Sequence, residues 1–265
     1  MADLLHDGLL LPAVLIFLVS GALQGASGFG MAVVAVPLLA TMMPPQIAIP
    51  ATVLASIVVS LLMIFRYRQH CDWNRAAWLG VPALLLAPLG VHLLKILTAD
   101  QLRLSLGVVL IASTLLHYLL ARNGNGAAAD LPKPPPSRVK TVAVGGISGV
   151  IGGALGMTGP LLADHLIGTG IKREDFNITL NLIFLASSVW RTGLYFVQNV
   201  MTGRTLMLGL IALPAAVGGA LLGGLLGGKI KNESFAGFIH LLLLAIGIWM
   251  LIEGARGCAF CASGG

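Results

Sequence analysis

Ser20-Gly21-Ala22-Leu23-Gln24-Gly25-Ala26-Ser27-Gly28 and Ser148-Gly149-Val150-Ile151-Gly152-Gly153-Ala154-Leu155-Gly156 both read S-G-x-x-x-G-A-x-G, 128 residues apart. Each motif lies in a stretch of two short apolar runs, residues 8–22 and 29–43 in the first case and 139–156 and 157–170 in the second. Three longer runs follow each pair: 47–65, 76–94 and 102–120, then 176–200, 206–227 and 235–252. Further echoes support a duplication, since Leu79-Gly80 recurs as Leu208-Gly209 and Gly90 as Gly219. A helix needs about 20 apolar residues to cross a bilayer, so the longer runs read as spans and the short ones as borderline. Two half-length helices meeting at a glycine-rich bend form a re-entrant hairpin; the other reading is two closely packed spanning helices joined by a tight turn. In both readings the pair returns the chain to its starting side, and three spans then carry it across. The second half therefore begins opposite to the first, which is the inverted repeat of many secondary transporters. The expected fold is an all-α polytopic membrane protein. Its repeats are residues 1–120 and 139–256, joined by a polar Pro/Gly linker at 121–138 and followed by a tail at 257–265.

Composition agrees. Of 265 residues, 57% are hydrophobic and only 10% charged, against roughly 25% charged in soluble domains. So few charges cannot coat a water-soluble surface, which excludes a soluble enzyme, a nucleic-acid-binding domain and a disordered chain. The apolar runs are continuous rather than alternating, which excludes a transmembrane β-barrel. The 34 glycines suit helices that approach closely in lipid. No nucleotide-binding loop is present, so an ATP-driven pump in one chain is excluded. Cys258 and Cys261 form a lone C-x-x-C in the tail, short of the four ligands that a structural zinc site needs, and neither a metal nor a cofactor is expected. Residues 1–8 carry Asp3 and Asp7 without Lys or Arg, unlike the start of a cleavable signal peptide.

The formal charge of +6 reads as orientation rather than as nucleic-acid binding. With both termini on one side, the opposite side holds eleven of the 16 basic residues, among them Arg66, Arg68, Arg138, Lys140, Lys172 and Arg173. The terminal side holds four, Lys95, Arg103, Arg204 and Arg256, and Arg191 lies within a span. The positive-inside rule puts the eleven in the cytoplasm. The expectation is a multi-pass protein of the cell (inner) membrane with both termini periplasmic or extracellular.

Chemistry concentrates at the two bends. A helix that starts inside the membrane offers free backbone N–H groups and a dipole that favours an anion, and glycine lets that backbone reach a ligand. Gly25, Ser27, Gly28 and Gly30 in the first half, and Gly153, Gly156, Thr158 and Gly159 in the second, are therefore candidates for binding a small anion, with Ser27 and Thr158 adding hydroxyl donors. Arg191, charged and inside a span, either balances that anion or snorkels to the surface. Asn177 and Asn181 share a helix face, as do Thr52 and Ser56 in the matching helix. Thr52 and Asn181 are counted among the candidate ligands, although such residues also tie helices together. Asp164-His165 could couple a proton or merely sit at the wet interface. Gly25-Ala26-Ser27-Gly28 also has the G-x-S-G form of rhomboid intramembrane serine hydrolases, but the second repeat has Leu155 at the serine position and no histidine stands in a partner motif.

The ordered set Gly21-x-x-x-Gly25-x-x-Gly28-Phe29-Gly30, Val36-Pro37, Ala51-Thr52, the basic and aromatic loop 66–73 with its Asp72-Trp73, and Gly149-x-x-x-Gly153-x-x-Gly156-x-x-Gly159-Pro160 resembles the TauE/SafE family of sulfite exporters and anion transporters. The resemblance covers about residues 10–252. It implies a secondary transporter of sulfite, an organosulfonate or a related anion, acting as an exporter and driven by an ion gradient such as that of protons. The residues alone argue for an anion-compatible transporter embedded in the lipid bilayer, and a passive channel or a permease for carboxylates is the alternative.

Orientation is testable by labelling intact cells with a membrane-impermeant maleimide, using a variant in which Cys71, Cys258 and Cys261 are serine. A cysteine placed at Asn125 should stay unlabelled and one placed at Asp7 should react; the reverse pattern overturns the assignment.

Overall fold

The computed structural model describes residues 8–67, 71–120, 137–169, 171, 173–226 and 244–256. Among these residues the structure is helical and contains no strand. The first half comprises α1 (Leu10–Ser27), α2 (Met31–Met42), α3 (Pro45–Tyr67), α4 (Trp73–Ile96) and α5 (Ala99–Leu120). The second comprises α6 (Arg138–Leu155), α7 (Gly159–Gly168), α8 (Arg173–Val197), α9 (Gly203–Leu226) and α10 at 244–256. Residues 121–136 of the expected linker, the start of the expected last span and the tail at 257–265 lie outside the described residues. Five of the described helices are long and apolar enough to cross a membrane: α1, α3, α4, α8 and α9.

Local chemistry sets the boundaries. Asp72 caps α4, its Oδ1 accepting the Arg75 backbone N–H at 3.0 Å while Oδ2 pairs with Arg75 Nε at 3.1 Å. Ser137 caps α6 through the Lys140 N–H. Pro160 occupies the first turn of α7, where its missing N–H costs nothing. Pro37, Pro50, Pro82, Pro88 and Pro214 all lie inside helices.

The bends differ from the expectation in one respect. Residues 23–27, read from sequence as part of a linking stretch, remain helical, so α1 has 18 residues and is about 27 Å long. Helix α6 also has 18 residues, whereas α2 has 12 and α7 only ten. Each pair is thus one nearly full-length helix followed by a short one. The helix persists through the glycines because they face a neighbouring helix, where a flat surface and not a turn is required.

That packing is reciprocal between the halves. Helix α1 lies along α9, and α6 lies along α4; α3 and α8 pack on each other, with α9 against α3 and α4 against α8. In the α4–α6 crossing, a Cβ on Gly145, Gly149 or Gly153 would strike the backbone of Leu79, Ala83 or Ala87. In the α1–α9 crossing, Gly21 and Gly25 face the carbonyls of Ala216 and Ala220, while Gly219 and Gly223 face those of Leu18 and Ala22. Both crossings are therefore backbone against backbone, the contact that small residues every four positions permit. Side-chain cores flank them. One joins α1, α2, α3 and α9 around Phe17, Leu39 and Met63, and another joins α4, α7 and α8 around Leu79, Leu162 and Leu180.

A single methyl separates tolerated from forbidden positions. Gly149→Ala should destabilise the detergent-solubilised protein by about 1–3 kcal/mol, read as a fall in the temperature at which its monodisperse peak is lost on size-exclusion chromatography. Gly218→Ala, whose Cβ would meet nothing within 4 Å, should leave that temperature unchanged or raise it slightly.

Candidate functional site

Helices α1 and α6 stop in the same way. Gly28 (φ +84°) and Gly156 (φ +74°) take the left-handed conformation. Their N–H groups return to Gln24 O at 2.8 Å and Gly152 O at 2.9 Å. This is the glycine stop of a helix C-terminus, and it falls on the ninth residue of both repeated motifs. Two residues further on, Gly30 (φ +112°) and Thr158 occupy the caps of α2 and α7, and neither cap has a side-chain hydrogen bond. The first-turn N–H groups of Met31, Ala32 and Val33 in α2, and of Gly159 and Leu161 in α7, therefore have no partner within their own helices.

Both starts open on one cavity. Gly30 to Val33 line it from one side and Gly156, Thr158 and Gly159 from the other. Gln24 of α1, Ser56 of α3, and Phe184, Ser188 and Arg191 of α8 complete the described wall. The cavity measures about 30 Å³, on a scale where one water occupies roughly 10–15 Å³. That suits a couple of waters or the central atom of one small oxyanion.

Arg191 dominates the site. It is only 3% exposed, so its guanidinium is buried and does not snorkel. Nε donates to Ser187 O at 3.1 Å, one terminal nitrogen to Gly152 O at 2.6 Å, and the other to Ser188 Oγ at 3.2 Å. Ser188 Oγ in turn lies 3.2 Å from Ser56 Oγ, which donates to Val53 O. Three of the five guanidinium N–H groups are used, and the other two have no acceptor among the described residues. No carboxylate among those residues pairs with it; Asp72 pairs with Arg75 and Asp100 with Arg103. A buried charge without a counter-charge is expensive. Tyr195 lies one turn further along α8, and its hydroxyl reaches Gly153 O at 3.4 Å. Both side chains thus hold carbonyls of the last turns of α6, where the helix dipole favours a cation.

The residues singled out from sequence do not all meet at the cavity. Gly30, Gly156, Thr158, Gly159 and Arg191 line the cavity together. Gly28 and Asn181 stand behind it: Asn181 Nδ2 donates to Gly28 O at 2.8 Å, and Gln24 Nε2 donates to Asn181 Oδ1 at 3.2 Å. Gly25 and Gly153 lie in the helix crossings. Thr52 is buried and donates to Ala48 O of its own helix. Ser27 is exposed, with its hydroxyl within reach of Leu23 O and Phe29 O. His165, partly buried near the end of α7, bonds to Thr141 of α6 at 3.1 Å. Sequence reasoning did not count Gln24, Ser56, Phe184 and Ser188 as ligands. Gln24 carried a signal, because it occupies the place that Gly152 takes in the second motif, one of the few chemical differences between the copies.

Comparison with known proteins fits this geometry. The family model described as "Sulfite exporter TauE/SafE" matches residues 13–250. A protein of Cupriavidus necator named "Probable sulfite/organosulfonate exporter TauE" is 26% identical over 208 residues, covering 76% of this chain and 77% of its own length. No solved structure matches. A transporter family sets aside the intramembrane hydrolase, whose serine would be Ser27. The match runs through both glycine motifs and every helix that lines the cavity, and on it the chain belongs to the sulfite exporter TauE/SafE family of membrane transporters.

Proposed function

We propose that this protein is a secondary transporter that carries a small sulfur oxyanion, sulfite or an organosulfonate, out of the cell across the inner membrane. The observation that carries the reading is the buried guanidinium of Arg191, with no carboxylate beside it among the described residues and two N–H groups to spare, on a cavity into which two helices begin. The guanidinium supplies a positive charge there, and the helix starts aim backbone N–H donors at the same point. The name of the Cupriavidus relative supports the sulfur chemistry and the direction.

In this reading the anion lies between the starts of α2 and α7 and completes the hydrogen bonding of Arg191. Thr158 supplies a hydroxyl, and Gly30, Gly156 and Gly159 let the backbone approach. Asn181 holds the first bend in place through Gly28 O. The reciprocal packing of the halves supports an inverted repeat, in which rocking of one repeat against the other exposes a fixed site to each side in turn. The excess of basic residues on one side supports periplasmic termini.

Counterflow of labelled sulfite in proteoliposomes tests this directly, because exchange against an internal pool requires a carrier and is not given by a passive channel. The wild type should show saturable exchange. Arg191→Met should lose about 2–5 kcal/mol of anion binding, on the order of 30-fold or more in affinity. Arg191→Lys should recover only part of it, because an ammonium cannot hold Ser187 O, Gly152 O and Ser188 Oγ in one plane. Replacing Gly28 or Gly156 with leucine, in protein that still inserts, should abolish exchange. Undiminished exchange in folded Arg191→Met protein overturns the proposed site.

A further inference from the structure

We infer that the pocket selects singly charged over doubly charged anions, and that Gln24 is the position that sets this preference. The inference rests on the anion-binding reading above and names the charge class that the site accepts.

The argument is a charge balance. Among the described residues of the wall, Arg191 is the one ionisable side chain; the others are Gln24, two serines, a threonine, glycines and apolar groups. The helix ends add little net charge. At each bend a C-terminus and an N-terminus lie within three residues of each other, α1 with α2 and α6 with α7. Their partial charges, about half a unit each and of opposite sign, offset one another. The N–H groups of α2 and α7 still direct hydrogen bonds at the ligand, but the balance is one positive charge.

The other groups around Arg191 do not change that balance. Tyr195 on α8 is buried, with its hydroxyl turned to Gly153 O. On α4, His92 is exposed. On α7, Asp164 and His165 are only partly buried near the helix end, where His165 contacts Thr141. Helix α3 presents Ser56 and Ser60 at this level, and neither titrates in water's range. A dianion would bring one charge more than the site can balance, in a place from which water is largely excluded, and that surplus is costly.

Gln24 is where a second charge would have to stand. The repeat puts Gly152 at the equivalent position, and the space beside Gly152 is filled by Thr158 Cγ2 and by the Arg191 guanidinium, 3.4 Å from where a Cβ would be. The second half thus receives its cation from α8 at the place where the first half has a neutral carboxamide. That carboxamide is 2% exposed and tied by Nε2 to Asn181 Oδ1 at 3.2 Å and Ser60 Oγ at 3.4 Å. One motif position therefore presents a cation in one copy and an uncharged dipole in the other.

Competition against sulfite counterflow in proteoliposomes tests this, with methanesulfonate and sulfate as probes. The two are similar in size, and over neutral pH the first carries one charge and the second two. Methanesulfonate should inhibit on the order of 100-fold better than sulfate. Raising the pH from 6 to 8, which converts sulfite from its singly to its doubly charged form, should weaken sulfite exchange while leaving methanesulfonate inhibition unchanged. Gln24→Lys should narrow or invert the preference toward sulfate. Equal inhibition by the two probes in the wild type overturns the charge inference and leaves the anion site standing. Absence of inhibition by either, together with absence of sulfite exchange, overturns the anion-site reading itself. If Gln24→Lys protein does not insert, the wild-type comparison decides alone.

Discussion

Where the two halves meet, backbone lies against backbone. Gly21, Gly25, Gly219 and Gly223 in one crossing, and Gly90, Gly145, Gly149 and Gly153 in the other, leave no room for even a Cβ. In lipid there is no hydrophobic drive between helices, so close van der Waals contact supplies the adhesion. Because α1 is clamped to α9 and α6 to α4, the ends of α1 and α6 are fixed relative to α3 and α8. Those ends are the bends, and the bends carry the starts of α2 and α7. The position of the cavity thus follows from two stripes of small residues at a distance from it.

The same architecture explains how a bare guanidinium is kept inside. Arg191 is held by Gly152 O, a carbonyl in the last turn of α6 that also accepts the N–H of the terminating Gly156. Its other anchors, Ser187 O and Ser188 Oγ, come from its own helix. The protein fixes the geometry of the charge with neutral acceptors, and no carboxylate among the described residues compensates it. A carboxylate in that place would satisfy the arginine and cancel its attraction for an anion. Of the five described helices able to span a membrane, α8 has the lowest hydropathy, since it carries Asn177, Asn181, Ser187, Ser188 and Arg191. That polarity is the local cost of the site.

Much of this was legible in the sequence. The S-G-x-x-x-G-A-x-G echo located both bends, and the left-handed glycines fall on its last position in each copy. Gly30, Thr158, Gly159 and Arg191 were singled out as candidate ligands, and they line one cavity. The extent of α1 was not legible, because glycines read as a turn when nothing shows that a neighbouring helix lies against them. For the same reason Gly25 and Gly153 were assigned to the site when they lie in a crossing. Gln24, Ser56 and Ser188 escaped because an uncharged polar residue in an apolar run gives no sign of which face it occupies until the partner helices are placed. Thr52 and Ser56 lie one turn apart in sequence; only the second faces the cavity, while the first satisfies itself on Ala48 O.

The crossed pairing of helices also constrains how the protein is made. About 175 residues separate the end of α1 from the start of α9, roughly 10–35 s of synthesis at ordinary ribosomal speeds. Throughout that interval α1 stands in the bilayer with its glycine face uncovered, and α4 awaits α6 in the same way. In a nascent first half the glycine faces of α1 and α4 therefore lack their native partners, and the two backbone crossings must form late. During that wait the small-residue faces are open to any other helix in the membrane, so biogenesis depends on keeping an unfinished chain apart from its neighbours until the last of its own spans arrives.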